Sequence, residues 1–314
     1  MPDTVLIAKW IGRKMNFSVM AEAISWPTPG LVSALDSGSH NDMDIYSFIH
    51  SGLAIADYFV QAAETGIRFA LEANLSQLYP LLQELGLQAE KDMFEATGGV
   101  NTHKGMIFHG VLLCAAAGIC YIRHNSLVPA QVCYYVSKIA ERDMLMQLSE
   151  AKRITEKCPT VGLRAYRQWG IQGVRGEVKD GYNHVLDVGL PALKDALERK
   201  GDLREAIIHT LLSLMSVTED TTLLNREFDY KRISYVQLYA QKVLDLGGVF
   251  TVQGKKLLEE MEWDFKKKSL SPGGSADLVA VSLALQLWET GYIQGGIGQD
   301  EANLRAKGKA PSFA

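Results

Sequence analysis

Apolar residues recur at three- and four-residue steps along most of the chain, the spacing that lines one face of an α-helix. Between residues 44 and 63, Ile45, Phe48, Ile49, Leu53, Ala56 and Phe59 keep that step. The same spacing predicts helices over 75–87, 129–148, 203–217, 234–246, 249–265 and 276–290. A further stretch, GMIFHGVLLCAAAGICYI (105–122), is apolar on every side, which predicts a helix buried all round. Its length alone would suit a membrane span. Its histidine, its many Ala and Gly residues and the lack of a second such stretch point instead to a central core helix. Strand-like alternation between turn residues is scarce, so the predicted class is all-α.

Gly, Pro and small polar residues mark the connections, chiefly 26–44, 96–105, 170–182, 218–227 and 270–278. Each abuts a predicted helix end, and a helical bundle can gather such ends around one polar cavity. No linker or internal repeat divides the chain, so residues 1–314 read as a single bundle-like domain.

Composition narrows the partners. The chain has 314 residues, 47% hydrophobic and 22% charged, which suits a globular protein. A net charge of −4 argues against a general nucleic-acid binder, though not against a local pocket for phosphates. Cys114, Cys120, Cys133 and Cys158 form no C-x-x-C pair and read as buried thiols. The first residues, MPDTVLIAKWIGRK, carry too short an apolar run for a secretory signal. The expected location is the cytoplasm, with no membrane partner.

The connections hold the candidate chemistry. In ATGGVNTHKG, Asn101 or Thr102 can cap the following helix, whose free N–H groups favour an anion, and Lys104 adds a full charge. The plainer reading is a capped helix with a solvated lysine. In LSPGGSADL, Gly273 and Gly274 let a ligand approach the backbone, Ser275 can cap the helix, and Asp277 either faces the ligand or complements the helix dipole. SGSHNDMD groups His40, Asp42 and Asp44, a donor set that suits Mg²⁺ with substrate phosphates, or acids that merely open a helix. Arg175, Glu177 and Asp180 share one loop, and Glu219 and Asp220 another.

In order, PTPGLVSALDSGSHNDM, ATGGVNTHKGMIFHGVLLCAAAG, GVRGEVKDGY, EDTT and LSPGGSADLV are similar to the motifs of the triphosphoribosyl-dephospho-CoA synthase family, over nearly the whole chain. The resemblance implies an all-α fold and one reaction: ATP and 3′-dephospho-CoA give 2′-(5″-triphosphoribosyl)-3′-dephospho-CoA and adenine. The product is the precursor of the prosthetic group of citrate lyase or malonate decarboxylase, and DSGSHNDMD and DVGLPAL lean toward the second. Three departures stand out. Thr28 occupies a position that is usually basic, Ser33 replaces a frequent Asp, and EDTTLLNRE lacks the Asn that usually follows Asp-Thr.

Such a reaction breaks an N-glycosidic bond and leaves the triphosphate whole, so the site must clamp phosphates without attacking them. Lys104 and Arg175 are the basic residues expected to form the clamp, with Asn101, Thr102, Gly273, Gly274, Ser275 and Asp277 around the substrates. Mg²⁺ is expected at Asp42 or Asp44. Glu177 or Asp220 would take the proton of the attacking 2′-hydroxyl, and His40 or His103 would protonate adenine. Tyr166, Trp169 and Tyr182 either stack on the second substrate or belong to the core. Two rival readings remain at this level. One is an all-α metal-dependent phosphohydrolase built on HNDMD and Asp220; the other is a non-catalytic helical module that binds nucleotides or a partner protein.

Overall fold

The computed structural model describes residues 4–154, 158–199 and 202–291, and among them every regular element is a helix. In chain order these are α1 (Thr4–Ile24), α2 (Ile45–Phe69), α3 (Tyr79–Ala96), α4 (Lys104–His124), α5 (Pro129–Arg153) and α6 (Val161–Trp169). There follow α7 (Gly173–Asp180), α8 (Leu190–Glu198), α9 (Leu203–Met215), α10 (Lys231–Asp245), α11 (Val252–Lys268) and α12 (Gly273–Thr290). The ends of the expected 1–314 domain, residues 1–3 and 292–314, lie outside the described residues.

Local chemistry sets the helix ends. Asp44 accepts a hydrogen bond from the Ser47 N–H at 2.9 Å, and the Ser47 hydroxyl accepts one from the Asp44 N–H at 3.3 Å. This reciprocal box satisfies two donors at the start of α2 that have no partner within the helix. At α4 Asn101 satisfies one such donor, accepting from the Lys104 N–H at 3.2 Å. Pro80 sits in the first turn of α3, where its missing N–H is harmless. The predicted helix over 75–87 therefore divides into a 3₁₀ turn at Leu75–Leu78 and α3.

Helix α4 is buried from Met106 to Cys120 except at the half-buried Phe108, and α1, α2, α3, α5 and α12 pack around it. Among the described residues it is the one helix long and apolar enough to cross a membrane, and 78% of its apolar stretch is buried inside the protein. Its small residues admit close neighbours. A Cβ on Gly118 would stand 2.4 Å from the Ala63 carbonyl oxygen, and one on Gly66 would stand 2.0 Å from that of Ala115. The backbones of α2 and α4 touch there, so neither site can yield by a side-chain rotation. Gly118→Ala is expected to cost about 2–3 kcal/mol through forced separation of the two helices. Thermal unfolding followed by circular dichroism would read this as a Tm lower by several degrees; an unchanged Tm would show that the crossing can relax.

The segment 170–182, expected to be a loop, holds the two-turn helix α7. Val174 and Val178 keep a four-residue step, but only Val178 is fully buried, and glycines at 170, 173, 176 and 181 hide the periodicity. Short helices of this kind are held by packing rather than propensity. Helix α7 packs on α5.

Candidate functional site

One face of α3, the starts of α4, α6 and α12, most of α7 and the turn at Thr221–Leu224 surround a cleft of about 730 Å³. That size lies within the usual range for small-molecule sites. Of the residues singled out from sequence, Lys104, Arg175, Glu177, Asp180, Glu219, Asp220, Gly274 and Asp277 line it.

Arg175 is half-buried, and its Nε donates to the side-chain oxygen of Gln147 at 2.9 Å. No carboxylate among the described residues pairs with it, and burial pulls its pKa below the usual arginine value. It is a cation in the cleft wall without an anion. Lys104 differs: its side chain is 53% exposed and its Nζ lies 2.7 Å from Glu90.

Glu177 is held through one oxygen by His184 Nδ1, while its other oxygen, Oε2, is buried without a hydrogen-bond partner. Glu177 lines the cleft, and a buried acceptor left without a partner on a lining residue is suited to a donor brought by a ligand. The bond to Glu177 raises the His184 pKa against the opposing effect of burial.

Asp220 has a structural task. Its Oδ1 accepts from the N–H and hydroxyl of Thr222 at 3.0 and 2.6 Å and from the Gly274 N–H at 3.2 Å. Its Oδ2 accepts from the N–H and hydroxyl of Ser275 at 2.8 and 3.1 Å. These donors include the first N–H groups of α12. The helix start that the sequence offers to a phosphate is thus closed by a carboxylate from elsewhere in the chain. With both oxygens committed, Asp220 has little capacity left for a substrate hydroxyl. Gly273 and Ser275 lie behind the lining.

His103 also lies behind it, buried, with Nδ1 at 2.6 Å from the Ser51 hydroxyl and Nε2 without a partner. Burial pushes its pKa down to about 4, so the ring is neutral at pH 7. Thr102 is half-buried with an unpartnered hydroxyl, and Asn101 is exposed as the cap described above.

His40, Asp42 and Asp44 stand outside the cleft lining. His40 Nε2 meets the Ser271 hydroxyl at 2.8 Å, and Asp42, 64% exposed, lies 3.8 Å from the other ring nitrogen. Burial, with Arg226 beside it, lowers the His40 pKa. The Asp44 carboxylate is engaged in its capping box. Among the described residues no three His, Cys, Asp or Glu side chains stand together in an arrangement that could hold a metal ion.

The aromatic candidates divide. Tyr182 is fully buried and bonds His109 Nδ1 through its hydroxyl at 2.9 Å. Trp169 stacks on Phe228 at 4.6 Å between centroids, and Tyr166 lies under Lys152. Thr28 is buried, its hydroxyl donating to the Ser25 carbonyl at 3.2 Å. His109, His184, Gln147 and Glu90 line the cleft without having been singled out as site residues. His184 follows GVRGEVKDGY closely enough to have been read with it; the others sit within helical patterns that give no local signal.

Comparison with known proteins adds to this geometry. A family model described as ATP:dephospho-CoA triphosphoribosyl transferase matches residues 8–294. The 2-(5″-triphosphoribosyl)-3′-dephosphocoenzyme-A synthase of Escherichia fergusonii is 35% identical over 289 residues, covering 92% of this chain and 94% of that protein. Proteins named as probable synthases of the same product match in Lactiplantibacillus plantarum, at 35% over 291 residues (91% of this chain, 98% of the relative), and in Vibrio cholerae, at 36% over 280 residues (89% and 88%). No solved structure matches the chain.

Proposed function

Because the chain belongs to the ATP:dephospho-CoA triphosphoribosyl transferase family and is a transferase that makes 2′-(5″-triphosphoribosyl)-3′-dephospho-CoA, we propose that the cleft beside α7 is where ATP and 3′-dephospho-CoA meet. The observation that carries this is the pairing on α7 of an anion-free cation, Arg175, with a bare acceptor, Glu177 Oε2. Arg175 binds the triphosphate, its planar fork suited to phosphate oxygens, and Lys104 adds charge at the rim. Glu177 Oε2 accepts the proton of the 2′-hydroxyl of dephospho-CoA as that oxygen attacks C1′ of the ATP ribose. His184 orients the carboxylate from its other oxygen and favours it electrostatically.

Mg²⁺ is proposed to enter with ATP. The lining holds Glu90, Glu177, Asp180, Glu219 and Asp220 against Lys104 and Arg175, so a bare polyanion would meet repulsion. Mg²⁺ usually keeps several waters and binds through substrate phosphates and few carboxylates, which fits a site without a three-residue cage. Asp42 and Asp44 do not fit as its holders, being outside the lining. Bound to ATP, the ion would neutralise triphosphate charge. A cytoplasmic location without nucleic-acid or membrane partners belongs to the same reading, supported by the net charge of −4 and the burial of α4.

Incubation with ATP, Mg²⁺ and dephospho-CoA is expected to release adenine in equal amount to a triphosphorylated dephospho-CoA, read by chromatography and mass. ADP or inorganic phosphate as the main product would overturn this reading in favour of a phosphohydrolase.

A further inference from the structure

Adenine leaves ribose as a poor, anionic group unless its ring receives a proton while the C1′–N9 bond breaks. His40 and His103 do not line the cleft, burial pushes the pKa of His109, which does, down to about 3, and His184, which also lines it, is committed through Nδ1 to holding Glu177. Another group must supply the proton.

Asp277 lines the cleft from the first turns of α12. Its carboxyl lies against the start of α4, where a Cβ on Gly105 would stand 2.1 Å from its Oδ2. Among the described residues no hydrogen-bond donor and no cation pairs with this carboxyl. Two further acidic side chains act on it electrostatically: Glu22, near the end of α1, and Asp220, which accepts every hydrogen bond it makes. The other charged or titratable groups around it offer no compensation. On α4, Lys104 is held by Glu90 and His109 is neutral. On and after α7, Arg175 bonds Gln147, Glu177 carries the same sign, and Tyr182 is buried against His109.

We infer that Asp277 is the acid that delivers a proton to the departing adenine, and that Glu22 and Asp220 keep that proton in place. The inference rests on the reading of the cleft given above. Burial, reinforced by Glu22 and then Asp220, holds the Asp277 carboxyl well above the usual carboxylate range, and burial pushes Glu22 up to about 7. Two carboxyl groups in one cleft thus divide the work: Glu177, oriented by His184, accepts a proton, and Asp277 gives one. As the C1′–N9 bond breaks, its electron pair moves into the purine ring and the Asp277 proton goes to a ring nitrogen. The 2′-oxygen bonds C1′ and its proton passes to Glu177. Adenine departs neutral, and exchange with solvent returns Glu177 to its ionised form and Asp277 to its protonated form.

Asp277→Asn keeps the shape and removes the proton. With the fold checked by circular dichroism, it is expected to lower kcat/KM for adenine release about 10²–10⁴-fold. Glu22→Gln tests the positioning role, because Glu22 does not line the cleft. In the wild type, activity is expected to fall as pH rises and Asp277 ionises; in Glu22→Gln this alkaline limb is expected to move to lower pH. Wild-type adenine release from ATP and dephospho-CoA is measured in parallel, so failure of the transferase reading is seen separately. With wild-type turnover present, an Asp277→Asn variant within threefold of wild type would overturn the inference. An alkaline limb unmoved in Glu22→Gln would also overturn it, even with Asp277→Asn inactive, by leaving Asp277 a merely structural or binding role.

Discussion

Glu177→Gln is expected to lower kcat about 10²–10⁴-fold while leaving the KM for ATP nearly unchanged. Glutamine fills the same space on α7, but its amide cannot take a proton from the attacking hydroxyl. The bare Oε2 makes the prediction specific: a buried acceptor without a partner has no structural bond to lose. The measurement is steady-state adenine release at saturating substrates, with thermal unfolding alongside. A variant retaining a third of wild-type turnover would remove Glu177 as the base. A loss confined to KM would make it a binding group.

Arg175→Ala is expected to weaken binding of a non-reacting ATP analogue with Mg²⁺ by about 3–4 kcal/mol, roughly 10²–10³-fold, because a half-buried charge-assisted contact is lost outright. Arg175→Lys should recover only part, since a point charge does not reproduce the guanidinium fork. A second effect distinguishes this residue from an ordinary surface cation. Without ligand, Arg175 is a partly desolvated charge with only Gln147 to bond, so Arg175→Met should leave the Tm unchanged or raise it. Isothermal titration and thermal unfolding read the two effects independently. Full ATP affinity in Arg175→Ala would move the triphosphate elsewhere in the cleft. Lys104, more exposed and already held by Glu90, should show a smaller loss on the same scale.

These expectations rest on unequal parts of the sequence. The helical class was legible because the period of the apolar residues is a local property: α2, α5 and α9 through α12 all cover stretches predicted by spacing. The buried nature of α4 was legible for the same reason, since its apolar residues leave no polar face. Helix α7 was not legible, because eight residues with glycine at both borders owe their helix to packing on α5. The motifs around Lys104, Arg175, Glu177, Asp220 and Asp277 marked where polar residues gather at helix ends, and the fold brings all five to one cleft.

What each of those residues faces is a different matter. The sequence by itself determined that α12 begins with free N–H groups needing an anion, and that acids cluster near His40. Only the tertiary structure decided that the anion on α12 is Asp220, which comes before it in the chain, and that Asp277 is backed by Glu22 from α1. The physical reason is range. Helix periodicity and capping are fixed within a turn or two of chain, whereas burial, the pairing of charges and an acceptor left bare depend on which distant segments pack together.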